Sequence, residues 1–164
     1  MLVYTPLMDP VSEDELISSF GDPEGDVWVP SLGDVDFESL DYLGWVHPSG
    51  HLGYMALVSP NSGALQGVVL KRQLRKAQGV RLEMCSFCNH VHRMDGTAMF
   101  TVSVKGSGGR HRIGRVGCAN LDCSLRIRNL VEPDSLMRES LYVEARVWRM
   151  QLAVHRWLDK AQRL

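Results

Sequence analysis

Four cysteines in two close-spaced pairs are the residues of this chain whose type and spacing can do chemistry. Cys85 and Cys88 stand two residues apart, 29 residues follow, and Cys118 and Cys123 close the set with four residues between them. A tetrahedral zinc ion takes four such ligands at ~2.3 Å, and paired donors at the two ends of a folded segment supply them. A lone Cys-x2-Cys also suits a redox dithiol, but a second pair argues for a metal. His90 and His92 follow the first pair closely and are alternative donors, although four cysteines leave no position vacant. A shell of four sulfurs is closed, whereas catalytic zinc keeps a place for water, so the metal reads as structural. Its binding is then part of the folding free energy of the C-terminal half.

The elements that must position these thiols can be read outward from them. Cys85-Ser86-Phe87-Cys88 predicts a tight knuckle whose successive N–H groups face sulfur. Ala98 to Lys105 alternates, with Phe100, Val102 and Val104 on one face and Thr101, Ser103 and Lys105 on the other, and predicts a strand. Gly106-Ser107-Gly108-Gly109 supplies a turn and His111 to Gly117 the return. In the return Ile113 and Val116 fall on opposite parities, so a bulge is expected at Gly114. The second cysteine pair should open a helix, whose N-terminal dipole favours thiolate. Knuckle, hairpin and helix-borne ligands, in that order, are the plan of a treble-clef zinc finger.

Upstream, Tyr42 to Val46, Leu52 to Val58 and Ala64 to Leu70 read as three strands of an antiparallel meander. The first ends at His47-Pro48, and Ser59-Pro60-Asn61-Ser62-Gly63 turns the second into the third. A basic stretch follows (Lys71, Arg72, Arg75, Lys76, Arg81), read as a short helix or a loop. At the C-terminus Val143, Val147, Met150, Val154, Trp157 and Ala161 keep the 3.6-residue period of an amphipathic helix packed on a core. The expected class is α+β: an antiparallel sheet, a four-cysteine treble-clef finger and a C-terminal amphipathic helix. Residues 1–35 read as an acidic, proline-containing arm docked through Trp28. Ser12 and Glu15 in it have capping-box spacing, and Leu16, Ile17 and Phe20 are the apolar side of a short helix. Residues 36–164 form the main domain, with the finger at 84–130.

The formal net charge of −1 conceals a segregation. Residues 1–70 hold 11 acids and no Lys or Arg, and residues 71–164 hold all 18 basic residues with the remaining 8 acids. A basic half suits an anionic partner, unless the halves simply neutralise each other. No apolar run approaches the ~20 residues of a membrane span. No basic start followed by an apolar core marks a secretory leader. The cytoplasm, where thiols stay reduced, is the expected compartment. No Gly-x-Ser-x-Gly, P-loop or His-Glu-x-x-His motif occurs, so the expectation is a non-enzyme without a small-molecule substrate. Lys105, Arg110, Arg112, Arg115, Arg126 and Arg128 surround the finger, with Phe87 at the knuckle tip. Phe87, Arg110, Arg112, Arg115, Arg126 and Arg128 form the candidate partner surface, against the plainer reading of a solvated rim.

Met84-Cys85-Ser86-Phe87-Cys88 with His92, and Cys118-Ala119-Asn120-Leu121-Asp122-Cys123-Ser124-Leu125, resemble the bacterial elongation-factor-G-binding proteins associated with fusidic acid resistance. Leu40-Asp41-Tyr42-Leu43-Gly44-Trp45 and the helix from Val143-Glu144-Ala145-Arg146 are similar to short, stand-alone members of that family. The resemblance covers roughly residues 36–160. It implies a treble-clef zinc domain with Cys85, Cys88, Cys118 and Cys123 as ligands. It also implies binding to elongation factor G and promotion of its release from the ribosome, with no chemistry on the drug. Resistance proteins of the family carry an N-terminal helical bundle, where this chain has the acidic arm. The alternative function is a zinc-finger RNA-binding or ribosome-associated regulatory protein, whose affinity would fall steeply with salt.

Overall fold

Tyr54-Met55-Ala56-Leu57 is an unbroken apolar run, and a strand so composed must be covered on both faces. In the computed structural model, which describes residues 4–23, 25–75 and 81–164, that is its situation. The main sheet is antiparallel and comprises β1 (Leu43–Val46), β2 (Leu52–Val58), β3 (Leu65–Leu74), β6 (Thr97–Ser103) and β7 (Arg112–Cys118), in the order β1-β2-β3-β6-β7. Two short strands, β4 (Leu82–Met84) and β5 (Val91–Arg93), pair separately. Tyr54 and Ala56 enter one apolar cluster, whereas Met55 and Leu57 enter another on the opposite face.

The first cluster is covered by the N-terminal segment. Helix α1 (Glu13–Ser19) starts on the expected capping box: Ser12 N donates to Glu15 Oε2 at 2.7 Å and Glu15 N to Ser12 Oγ at 3.2 Å. Leu16 and Phe20, four residues apart, reach the sheet and are buried. Ile17 lies about 100° round the helix and stays exposed, contrary to the apolar side expected for it. Phe20 meets Trp45 and Tyr54 edge to face, at centroid distances of 5.9 and 6.1 Å. This approach requires Gly67: a Cβ there would lie 2.5 Å from the Phe20 ring. Trp28 is held by its backbone as well, since Trp45 Nε1 donates to its carbonyl at 2.7 Å.

Helix α3 (Val143–Lys160) covers the second cluster. Its predicted stripe is the buried one: Val147, Met150, Val154, Trp157 and Ala161 are at most 3% exposed, and Val143 packs against them. Gln151, His155 and Leu158 widen the buried face.

Two upstream expectations are corrected. β3 does not stop at Leu70 but continues to Leu74, pairing Lys71 to Leu74 with β6. Arg72 is tolerated in the ladder because its Nε donates to Ala119 O at 2.8 Å and its Nη1 to Gly50 O at 2.9 Å. Beyond β3, Arg75 pairs with Glu83 at 2.6 Å, and Lys76 lies outside the described residues. At Gly114 there is no bulge, for β6 and β7 pair without interruption from Thr97↔Cys118 to Ser103↔Arg112. Ile113 turns toward the cluster under α3, and half-buried Val116 belongs to the other face of the sheet.

Candidate metal centre

Three elements deliver the four thiols. Cys85 and Cys88 sit in the knuckle joining β4 to β5, Cys118 ends β7, and Cys123 is the first residue of α2 (Cys123–Ile127). Only the last of these opens a helix, so the expectation that both late cysteines would do so holds for one. The knuckle is closed by Cys85 N donating to His90 O at 2.9 Å and Asn89 N to Cys85 O at 3.0 Å. Asn89 takes positive φ (60°) to complete the turn.

The four sulfurs are buried, unbridged and all within 4.8 Å of one another. Cys85 Sγ lies 3.6 Å from Cys123 Sγ, and Cys88 Sγ lies 3.5 Å from Cys118 Sγ. Bonds of ~2.3 Å to a tetrahedral centre place sulfurs about 3.8 Å apart. Donor chemistry, number and spacing therefore fit a zinc ion. Phe87 N and Cys88 N point at Cys85 Sγ from 3.4 and 3.5 Å, the knuckle geometry expected of a stabilised thiolate. Burial alone would raise the Cys85 thiol, but hydrogen bonds from Cys118, Cys123 and Cys88 hold it well below the usual range.

A second layer surrounds the sulfurs. His92 Nε2 lies 3.2 Å from Cys118 Sγ, and with its proton on Nε2 the ring donates to that sulfur. Burial, then the neighbouring His90 and Arg126, push His92 down to about 4, so the ring is neutral. His90 packs on His92 at 4.3 Å between centroids. Neither histidine belongs to the group of mutually close ligand atoms. Tyr42 is wholly buried beside the cluster. Burial and the adjacent Cys123 hold its phenol far above the usual range, leaving a neutral hydroxyl without a partner of standard hydrogen-bond geometry.

The candidate partner residues divide sharply. Phe87 is 1% exposed, packed at 5.2 Å and a 39° tilt against Trp157 and seated over Gly117, whose missing Cβ would lie 2.8 Å from the ring. It is a core residue, and the exposed knuckle tip expected for it is corrected. Arg128 pairs with Asp41 at 2.8 Å across 87 positions, with the Asp41 side chain 1% exposed. Arg126 pairs with Asp122 at 2.8 Å. Arg112 spans to Thr101, donating to Oγ1 at 2.9 Å and to the carbonyl at 2.8 Å. Arg110 and Arg115 remain exposed, bonded only to nearby carbonyls, Ser107 O and Gly114 O.

One group escaped sequence reasoning altogether. Gln151 of α3 donates to Asp41 Oδ1 at 3.0 Å and to Thr5 O at 2.9 Å, and its Oε1 accepts from Thr5 N at 2.8 Å. Asp41 N donates to Ser124 Oγ at 3.1 Å. Thr5, Asp41, Ser124, Arg128 and Gln151 thus tie the N-terminal segment, the start of the sheet, α2 and α3 into one buried polar knot. No sequence signal marks partners so far apart. Asp41–Arg128 joins residues 1–70 to the basic part, whereas Arg75–Glu83, Arg126–Asp122 and Arg149–Glu139 lie within the basic part itself.

Among the described residues no helix is long and apolar enough to cross a membrane. A comparison with curated proteins gives no match. Among solved structures the chain is similar to the fusidic acid resistance protein FusC. The TM-score is 0.52 and the identity 20%, over 71% of this chain and 52% of that one. The chain thus spans about half the length of that structure, and at this identity the likeness concerns the fold. The family model for the FBP C-terminal treble-clef zinc-finger matches residues 21–161, which include all four thiols and nearly every element described above. By that match, and by a knuckle, hairpin and helix converging on four buried sulfurs, the chain belongs to the FBP C-terminal treble-clef zinc-finger family.

Proposed function

We propose that this protein is a non-enzymatic translation accessory factor of the cytoplasm that binds elongation factor G and promotes its release from the ribosome. Its zinc, held by Cys85, Cys88, Cys118 and Cys123, serves structure. The observation that carries the reading is the buried four-thiol centre, set in a fold shared with a fusidic acid resistance protein. Four sulfurs complete the coordination of zinc and leave no place for a reacting water, which favours recognition over catalysis. Among the five candidate arginines, Arg110 and Arg115 on the β6–β7 hairpin are the exposed ones and can meet an acidic protein face. Arg126 and Arg128 are spent on internal ion pairs.

The test is titration calorimetry of the zinc-loaded protein against elongation factor G at two salt concentrations, with R110E/R115E in parallel. Saturable one-to-one binding, weakened by the double reversal, is expected. Absence of binding by folded, zinc-loaded protein would remove the reading. A steep salt dependence with ribosomal RNA in place of the factor would turn it toward the RNA-binding alternative. Unchanged affinity in R110E/R115E would move the contact to another face.

A further inference from the structure

Beside the knuckle lies a cavity of about 410 Å³, walled by the knuckle residues Cys88 to His90, by α2, by the 129–139 connection and by the first turns of α3. Three guanidinium groups line it: Arg126, Arg138 and Arg146. Arg126 is already satisfied by Asp122 and the Pro133 carbonyl. Among the described residues, neither Arg138 nor Arg146 has a hydrogen bond or ion pair from its side chain, and Arg146 Nε is buried without an acceptor. A buried charged donor left unmatched is costly, and such sites are normally completed by an anion or by water.

Two acids share the lining. Glu139 is engaged by Arg149, whose Nη2 lies 2.7 Å from both carboxylate oxygens, and Asp134 is exposed. Three positive groups against two negative leave room for one negative charge, so a monoanion fits the cavity better than a phosphate dianion. The planar forks of arginine match a carboxylate in shape. The surroundings point to who presents it. Leu136 (42% exposed), Met137 (61%), Leu141 (46%) and Tyr142 (82%) stand uncovered along the same connection. Arg, Met and aromatic side chains around a charged centre are the composition of a protein interface.

We infer that the cavity framed by Arg126, Arg138 and Arg146 is a carboxylate-binding site that takes an acidic side chain from an apolar segment of a protein partner. The inference rests on the reading above only for the identity of that partner. It adds to the β6–β7 hairpin a second contact, at the junction of knuckle, α2 and α3.

The experiment is a heteronuclear NMR titration of the full, zinc-loaded chain with an acetylated and amidated Leu-Glu-Glu-Leu peptide. Its Leu-Gln-Gln-Leu counterpart, acetate and inorganic phosphate are run as controls. The Glu peptide is expected to shift the amides of residues 88–90, 126–139 and 146 saturably. In R138Q/R146Q its affinity should fall roughly tenfold or more while the rest of the spectrum is unchanged. Equal binding of the Gln peptide, tighter binding of phosphate, or an unaffected variant would overturn the carboxylate site. Acetate binding as tightly as the Glu peptide would overturn the protein-borne source. The same variant against elongation factor G separates the two readings. Factor binding that is intact in wild type and unchanged in R138Q/R146Q defeats this inference alone, whereas no factor binding by wild type defeats the proposed partner and leaves the peptide result standing.

Discussion

The two faces of the central sheet are consolidated by different means. On the α3 side the cluster is completed by four sulfurs that need a metal ion to stay together, with Phe87 wedged between Gly117 and Trp157. On the α1 side no such device occurs among the described residues: Leu16, Phe20, Trp45 and Tyr54 hold the N-terminal segment by apolar contact and aromatic edges. The first face depends on a ligand and on thiol chemistry. The second depends on shape and buried area. β2 contributes to both, with Met55 and Leu57 in one cluster and Tyr54 and Ala56 in the other, so the two faces share a strand but keep separate cores.

Removing the metal should break the symmetry most. Cys118→Ser, or a strong chelator, is expected to abolish stoichiometric zinc and unfold the finger, since structural zinc contributes on the order of 10 kcal/mol to such sites. Metal analysis and circular dichroism would check this, and retention of full zinc by Cys118→Ser would contradict the four-thiol assignment. Next comes the other face. Phe20→Ala empties a ring-sized space over Gly67 and should cost about 3–5 kcal/mol in denaturant unfolding. Zinc content should remain at one equivalent, and a concurrent loss of zinc would mean that the faces are not separable. Arg128→Ala tests the knot between them. It leaves the Asp41 carboxylate buried without its guanidinium, and a loss of about 3 kcal/mol is expected. Arg128→Lys should recover part of that loss.

The smallest effect concerns pH. Burial holds His155 below its ordinary range, with Asp41 opposing, so the folded chain disfavours the protonated ring. The unfolded chain takes up a proton below about pH 6.5. Stability is therefore fully present above that value and declines as the pH falls below it. His155→Gln should flatten this decline in urea titrations across that range, and an unchanged slope would exonerate the residue.

What could be read from sequence was local. Paired cysteines carry their function in their spacing, and the stripe on α3 carries its face in its period, so both were legible. The Ser12–Glu15 box was legible for the same reason, since donor and acceptor are three residues apart. Distance in the chain hid the rest. Phe87 looks like a surface aromatic in a short knuckle, and only Gly117 and Trp157, 30 and 70 positions away, make a pocket for it. Arg128 reads as one more basic residue until Asp41 is found opposite it. Lys71 and Arg72 look like a break in a strand, because the carbonyls of Gly50 and Ala119 that satisfy Arg72 cannot be foreseen. The opposite parities of Ile113 and Val116 suggested a bulge because a strand whose two faces both meet protein need not alternate.

β7 is the outermost strand of its sheet, yet its backbone is not bare. Ser86 N donates to the Val116 carbonyl at 2.9 Å, and Trp157 Nε1 to the Ile113 carbonyl at 3.1 Å. The knuckle is thus a guard rail as well as a metal clamp. Under zinc starvation the rail would lift, and an unguarded strand invites another chain to add on to it. The same zinc that joins four sulfurs therefore also holds the cover over one stretch of a sheet edge.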